Sequence, residues 1–129
     1  MPERSIDWMK QAEKDIEAAE VMKNNGRFEW ACFISHQAAE KAVKAVYQKN
    51  NATAWGHSIY ELLNGLSNKI NLDESLLDCA RALDRFYIPT RYPNGFESGS
   101  PFEYFTEKDA ENGILYSRRI VEFCKNILA

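Results

Sequence analysis

Three arginines and seven of the chain's sixteen aromatic residues crowd the stretch from Arg81 to Phe105. The arginines are Arg81, Arg85 and Arg91; the rings are Phe86, Tyr87, Tyr92, Phe96, Phe102, Tyr104 and Phe105. A guanidinium is a planar fork that grips phosphate through paired hydrogen bonds. Flat rings stack on nucleic-acid bases whatever the base. Arg91 leads this set, because Pro89 and Pro93 bracket it and would hold it on a rigid turn. Its competing role is to staple the loop through backbone carbonyls or a carboxylate such as Glu97. Tyr92 could stack on a base or plug the core edge. Asn94 could bond a ligand, but Asn94-Gly95 is first of all a turn former. Arg81 and Arg85 share one helix face at i, i+4 spacing. They read as surface cations paired with Asp78 and Asp84, or as a phosphate clamp formed with Arg91.

Acid–base chemistry has its own candidates. His36 could exchange protons near neutral pH, and Glu40, one helical turn on, could orient its ring. RNA hydrolysis needs a base near the 2′-hydroxyl and a group that stabilises charge on the phosphate. His36, Glu40 and Arg91 could fill those roles if the loop folds over the second helix. Otherwise His36 is a histidine bonded inside the bundle or at an interface. His57 follows Gly56 just before a helix start and reads as a structural loop residue or a ligand contact. Lys41 and Lys44 read as solvated, or as neighbours of a bound anion. Cys32, Cys79 and Cys124 lie among apolar residues, and none forms a C-x-x-C pair. They read as small buried hydrophobes in a reducing compartment. Cys32 and His36 lie four apart but have no partner pair, so neither a metal site nor a cofactor is expected.

The elements that must position these groups are helical throughout. Trp8, Met9, Ala12, Ile16, Ala19 and Met22 recur at helical spacing and predict a helix from about Ser5 to Lys23. Asn24-Asn25-Gly26 ends it. A second helix, about Arg27 to Lys49, gathers Phe28, Ala31, Cys32, Ser35, Ala38, Ala39, Ala42, Val43 and Val46 in one sector. Its small residues would let a neighbouring helix approach closely. Beside that sector runs a second stripe of Phe33, His36, Gln37, Glu40, Lys44 and Tyr47, which reads as a seat for the long loop, a partner interface or the wall of a polar site.

Ser58 and Glu61 form a capping-box signature for a short third helix, about Ser58 to Asn68. Asp73 caps a fourth, which Pro89 terminates near Tyr87. The segment 88–105 reads as a long loop, too aromatic for disorder. Thr106 and Asp109 cap the last helix, about Thr106 to Leu128. No window alternates with period two. The fold class expected is an all-α, up-and-down bundle of about five helices in a single domain over residues 1–129.

Composition narrows the function classes. A net charge of −3 argues against a non-specific nucleic-acid coat protein but leaves room for a local basic site. No apolar run approaches the roughly 18 residues of a membrane span. The charged start does not read as a secretory signal, so a cytoplasmic setting is expected.

Three strings in order carry a resemblance: HQAAEKAVKAVY on the second helix, GHSIYELL opening the third and RYPN after the fourth. Together they resemble the HEPN domain, the higher eukaryote and prokaryote nucleotide-binding domain, across nearly the whole chain. The resemblance implies a helical bundle that commonly forms a homodimer and binds nucleotide or RNA. It also implies a minimal nucleotidyltransferase as protein partner in a two-component, toxin–antitoxin-like module. In the ribonuclease branch an arginine is followed about four to six residues later by histidine. Here His36 and His57 both precede Arg81, Arg85 and Arg91, so that motif is absent. The residues themselves make Arg91, Tyr92, Asn94, Arg85, Arg81, Lys44 and His57 the candidate ligand contacts. A metal-independent ribonuclease toxin and a purely structural dimerisation protein are the alternatives.

Overall fold

The computed structural model describes residues 3–129. Six α-helices follow one another: α1 (Ser5–Asn24), α2 (Phe28–Lys49), α3 (Ile59–Asn64), α4 (Glu74–Asp84), α5 (Pro101–Tyr104) and α6 (Glu107–Leu128). A 3-10 turn, Pro93–Gly95, lies between α4 and α5. The all-helical class expected from sequence is the one found, and among the described residues there is no strand.

The long helix α2 is the centre of the bundle, packed against α1 on one side and α6 on another, while α4 lies on α6. Close packing follows from residue size. Ala12, Ala19, Ala38, Ala39, Ala42 and Ala45 are fully buried, so the α1–α2 contact runs along small side chains. The bulkier Val43, Val46, Ile59, Leu63, Leu83 and Ile120 fill the space between α2, α3, α4 and α6. Cys79 and Cys124 are buried among them, and Cys32 is buried in a smaller cluster with Ala31 and Ala110. Burial pushes the thiols of Cys32 and Cys124 up to about 12.

Caps set the register of the helices. The Asp73 carboxylate accepts from the Ser75 N–H at the start of α4. At α6, Thr106 Oγ1 accepts from Asp109 N–H, and the Asp109 carboxylate accepts from Thr106 N–H. We expect Thr106→Ala to cost about 1 kcal/mol, read as a lower urea midpoint at unchanged m-value.

Three local expectations are corrected. The α3 capping box is only half closed: Ser58 Oγ accepts from Glu61 N–H, but the Ile59 and Tyr60 N–H groups donate to Asp84 of α4. Regular helix in α4 stops at Asp84 rather than near Tyr87, because the chain tightens into i→i+3 bonds, Phe86 N–H to Leu83 and Tyr87 N–H to Asp84. The 88–105 segment is also more structured than a loop. Ser100 and Glu103 close a capping box that starts the one-turn α5, giving six helices where about five were expected.

The rings of that segment mostly hold the segment itself. Phe96 stacks on Tyr104 at 4.1 Å and meets Phe105 edge-on at 6.3 Å, and Phe105 meets Phe86 at 6.0 Å. Tyr104 O–H donates to the Ser98 carbonyl. Gly99 turns the chain between them at φ +84°, a conformation that resists any side chain.

Candidate functional site

The second stripe of α2 does not face solvent. It meets two segments, the 50–58 connection before α3 and the tight turns from Asp84 to Arg91.

His36 is completely buried. Its Nε2 lies 3.0 Å from the His57 carbonyl and 3.3 Å from Asp84 Oδ1. Both neighbours only accept, so Nε2 carries a proton and donates. Nδ1 lies 3.2 Å from the Gln37 side-chain amide, which donates to it. Those partners assign the neutral Nε2–H tautomer. Both ring nitrogens are engaged and the side chain has no exposure. Of the two readings that the sequence offers, acid or base and a histidine bonded inside the bundle, this geometry fits the second: His36 clamps the main chain of His57.

Asp84 is the second clamp. Its carboxylate accepts from Ser58 Oγ at 2.9 Å, Ile59 N–H at 2.8 Å and Tyr60 N–H at 3.1 Å, besides facing His36. Burial alone would raise its carboxyl. The hydrogen bonds from His36, Ile59, Tyr60 and Ser58 outweigh burial and hold it below the ordinary value of 3.8. It is not the surface partner of Arg81 and Arg85 that its spacing suggested.

Glu40 is 5% exposed and orients His57, not His36. Both its oxygens lie 3.2 Å from His57 Nδ1, and Lys44 Nζ bonds Oε2 at 2.9 Å. Lys44 is therefore no solvated lysine; its side chain is 16% exposed. His57 is more than half exposed, at 54%, yet held on every side. Its carbonyl accepts from His36, its Nδ1–H donates to Glu40, and its ring stacks on Tyr87 at 4.9 Å with planes 18° apart. Nε2 makes no hydrogen bond among the described residues.

Tyr87 joins the two halves of the site. The Arg91 guanidinium carbon sits 4.6 Å from the Tyr87 ring centroid, 4.4 Å from Phe33 and 5.0 Å from Tyr92. Arg91 Nε donates to the Tyr87 carbonyl at 2.9 Å. The stapling role read from sequence is present through that one nitrogen, and Glu97 takes no part. The two terminal amino groups of Arg91 make no hydrogen bond among the described residues, so the outer edge of the fork stays open. Trp30, 44% exposed, extends the rings by an edge contact to Phe33 at 6.0 Å. Trp55, 83% exposed, stands two residues before His57.

The structure thus brings together His36, Glu40, Lys44, His57, Arg91 and Tyr92. It leaves out three other candidates. Arg81 lies over the Tyr60 ring at 4.3 Å and pairs with Asp78 and Glu74 at 2.8 and 3.0 Å, so it forms no clamp with Arg91. Arg85 is exposed at the end of α4, and Asn94 is exposed in the 3-10 turn. Tyr87 is one ring of the Arg81–Phe105 cluster but nothing in its spacing singles it out, and Trp55 carries no signal in the sequence. A groove of about 730 Å³ on α1, α4 and α6, floored by Ile16, Leu76 and Val121, shares no residue with this set.

The chain belongs to the HEPN domain family: the HEPN domain match covers residues 5–127. It is 26% identical over 130 residues to the protein named Putative toxin MJ1304 of Methanocaldococcus jannaschii, covering 94% of this chain and 86% of that one. Among solved structures it is similar to TT1696 from Thermus thermophilus, at TM-score 0.94 and 35% identity over 97% of this chain and 98% of that one. It is also similar to ST0689, an archaeal HEPN homologue, at TM-score 0.84 and 43% identity over 100% of both chains. An HEPN domain protein of Thermotoga maritima, TM0613, matches at TM-score 0.78 and 38% identity over 95% and 97%. No helix among the described residues is long and apolar enough to cross a membrane.

Proposed function

We propose that this chain binds a nucleotide or the end of a single-stranded RNA, as one component of a toxin–antitoxin-like module. Its protein partner in that module is a minimal nucleotidyltransferase, and it works as a homodimer. Family membership and the toxin name of the Methanocaldococcus relative support the module. The observation that carries the ligand is the seating of Arg91. Three rings and one backbone bond hold its guanidinium, while its two terminal nitrogens make no hydrogen bond among the described residues. A phosphate can dock on that edge and a base can stack on the adjoining rings. Lys44 and His57 both pair with Glu40 beside it. The negative body restricts the attraction to this patch.

Fluorescence anisotropy with labelled ATP and a labelled short single-stranded RNA tests the reading. We expect saturable binding that weakens with salt. Arg91→Ala should weaken it about 10- to 100-fold, the worth of a charge-assisted pair. Arg91→Lys should not restore it, because an ammonium offers neither a fork nor a plane to stack. Arg81→Ala should bind as the unaltered protein does. Absence of binding, or equal loss from Arg81→Ala and Arg91→Ala, would overturn the assignment.

A further inference from the structure

We propose that Asn94–Gly95 is a self-modification site: Asn94 deamidates through a succinimide, and the carboxylate so formed weakens the hold of Arg91 on a phosphate-bearing ligand. The second half rests on the ligand reading above; the first does not.

Asparagine is most labile before glycine, because a residue with no side chain leaves its nitrogen free to reach the asparagine amide. Four of the six glycines of this chain follow asparagine, at 25–26, 64–65, 94–95 and 112–113. The attack needs the asparagine main chain to rotate, so well-bonded helix suppresses it. That requirement sorts the four pairs. Gly113 is buried inside α6, where it packs against α2. Gly65 N–H donates to the Glu61 carbonyl at 3.0 Å at the end of α3. Asn25 Nδ2 is tied to the Val21 carbonyl at 2.7 Å, and Gly26 N–H donates to the Lys23 carbonyl at 3.0 Å. Asn94 is exposed, and its side chain makes no hydrogen bond among the described residues. Its main chain lies in the three-residue 3-10 turn, where bond geometry is poorer than in an α-helix.

The turn is closed around Arg91. A Cβ built on Gly95 would lie 3.6 Å from Pro89, so the two ends of 89–95 lie side by side with Arg91 between them. Within that loop Arg91 N–H donates to the Ile88 carbonyl at 3.0 Å, and Nε donates to the Tyr87 carbonyl at 2.9 Å. Deamidation adds a negative charge on the short loop that carries Arg91, where it opposes a docking phosphate. The iso-aspartyl product also adds a carbon to the main chain of the loop, so the seat of the guanidinium shifts.

The step balances with water as its co-reactant. Hydroxide takes the Gly95 N–H proton, and that nitrogen forms a bond to Asn94 Cγ. The Cγ–Nδ2 bond breaks, and ammonia leaves with a proton drawn from water, which regenerates the hydroxide. Water then opens the succinimide ring. Breaking the bond from Gly95 N to Cγ gives aspartate; breaking its bond to the Asn94 carbonyl carbon gives iso-aspartate. Nothing is oxidised or reduced.

The test ages the purified protein at mildly alkaline pH and maps it by proteolysis and mass spectrometry, beside the same protein unfolded in urea. In the folded protein, aspartate and iso-aspartate should form at position 94 about tenfold faster than at 25, 64 or 112. In urea the four rates should converge. Gly95→Ala is the control that keeps the fold, since Gly95 is not at positive φ and the added methyl makes ordinary contact with Pro89. It should remove most of the conversion at position 94. By fluorescence anisotropy with labelled ATP and a labelled short single-stranded RNA, aged protein and Asn94→Asp should each bind about fivefold more weakly than fresh protein, and the difference should shrink at high salt. Gly95→Ala should hold its affinity through the same ageing. Conversion at 94 no faster than at 25 in the folded protein, or conversion untouched by Gly95→Ala, overturns the modification site. Conversion that leaves affinity within about twofold overturns the link to Arg91. Fresh protein that binds neither probe overturns the ligand reading, while the peptide map still decides the modification.

Discussion

Asp84→Ala is expected to lower the unfolding free energy by about 3 kcal/mol, a drop of about 10 °C in Tm for a chain of this size. One carboxylate serves three elements at once. It caps α3 by accepting the Ile59 and Tyr60 N–H groups, ties down Ser58, and faces buried His36 from the end of α4. Losing a cap costs about 1 kcal/mol. Leaving the buried Nε2–H of His36 with a poorer set of acceptors adds about 1–3 kcal/mol. Asp84→Asn keeps one acceptor oxygen and should lose roughly half as much.

The same residue gives a pH signature. Its folded value is held below the unfolded carboxylate value of about 3.9. A depressed carboxyl stabilises the fold above the unfolded value, and the contribution drains away as pH falls through the folded one. Urea unfolding of the unaltered protein should therefore weaken steeply below about pH 4, and Asp84→Ala should lose that part of the slope. A variant within about 0.5 kcal/mol of the parent, with an unchanged acid slope, would show that Asp84 does not hold these elements together.

That carboxylate also marks where sequence reading reaches its limit. The helices are legible because each long one must bury a stripe. The apolar spacing of Ile16, Val43 and Ile120 cannot be satisfied by a strand or a loop. Thr106 and Asp109 name their cap because a capping box is local, closed within four residues. Spacing alone makes Asp84 a surface partner for arginine, since its near neighbours include one; in fact it reaches back 25 residues to Ile59. Nothing local encodes that bond. The site divides along the same line. His36, Glu40, Lys44, His57 and Arg91 can be named from residue type, but the pairing of Glu40 with His57 rather than His36 is set by the path of the 50–58 connection. The Pro-bracketed Arg91 is legible because proline geometry is local, whereas Tyr87 beneath it looks like a helix end.

Ser35→Leu is expected to destabilise the fold by about 3 kcal/mol, and for a reason tied to the site. Ser35 is fully buried where α2 crosses α6. Its carbonyl accepts from Ser117 Oγ at 2.7 Å. Gly113, one turn earlier on α6, is so close that a Cβ there would sit 3.1 Å from the Phe86 ring and 3.7 Å from Ser35. No space exists for a branched side chain without parting the two helices. Ser35→Ala is the control: it removes only the local bond from Oγ to the Ala31 carbonyl and should stay within about 0.5 kcal/mol. Ser35 and His36 are consecutive, so one flank of α2 meets α6 while the next holds His57 and faces Asp84. A seam pushed open from the Ser35 side displaces His36 relative to both partners. Ser35→Leu should accordingly weaken RNA binding as well as lower Tm, while Ser35→Ala leaves both unchanged. Loss of stability with full affinity would mean that α2 shifts without moving His36, and that the packing of α6 does not govern the geometry around His57.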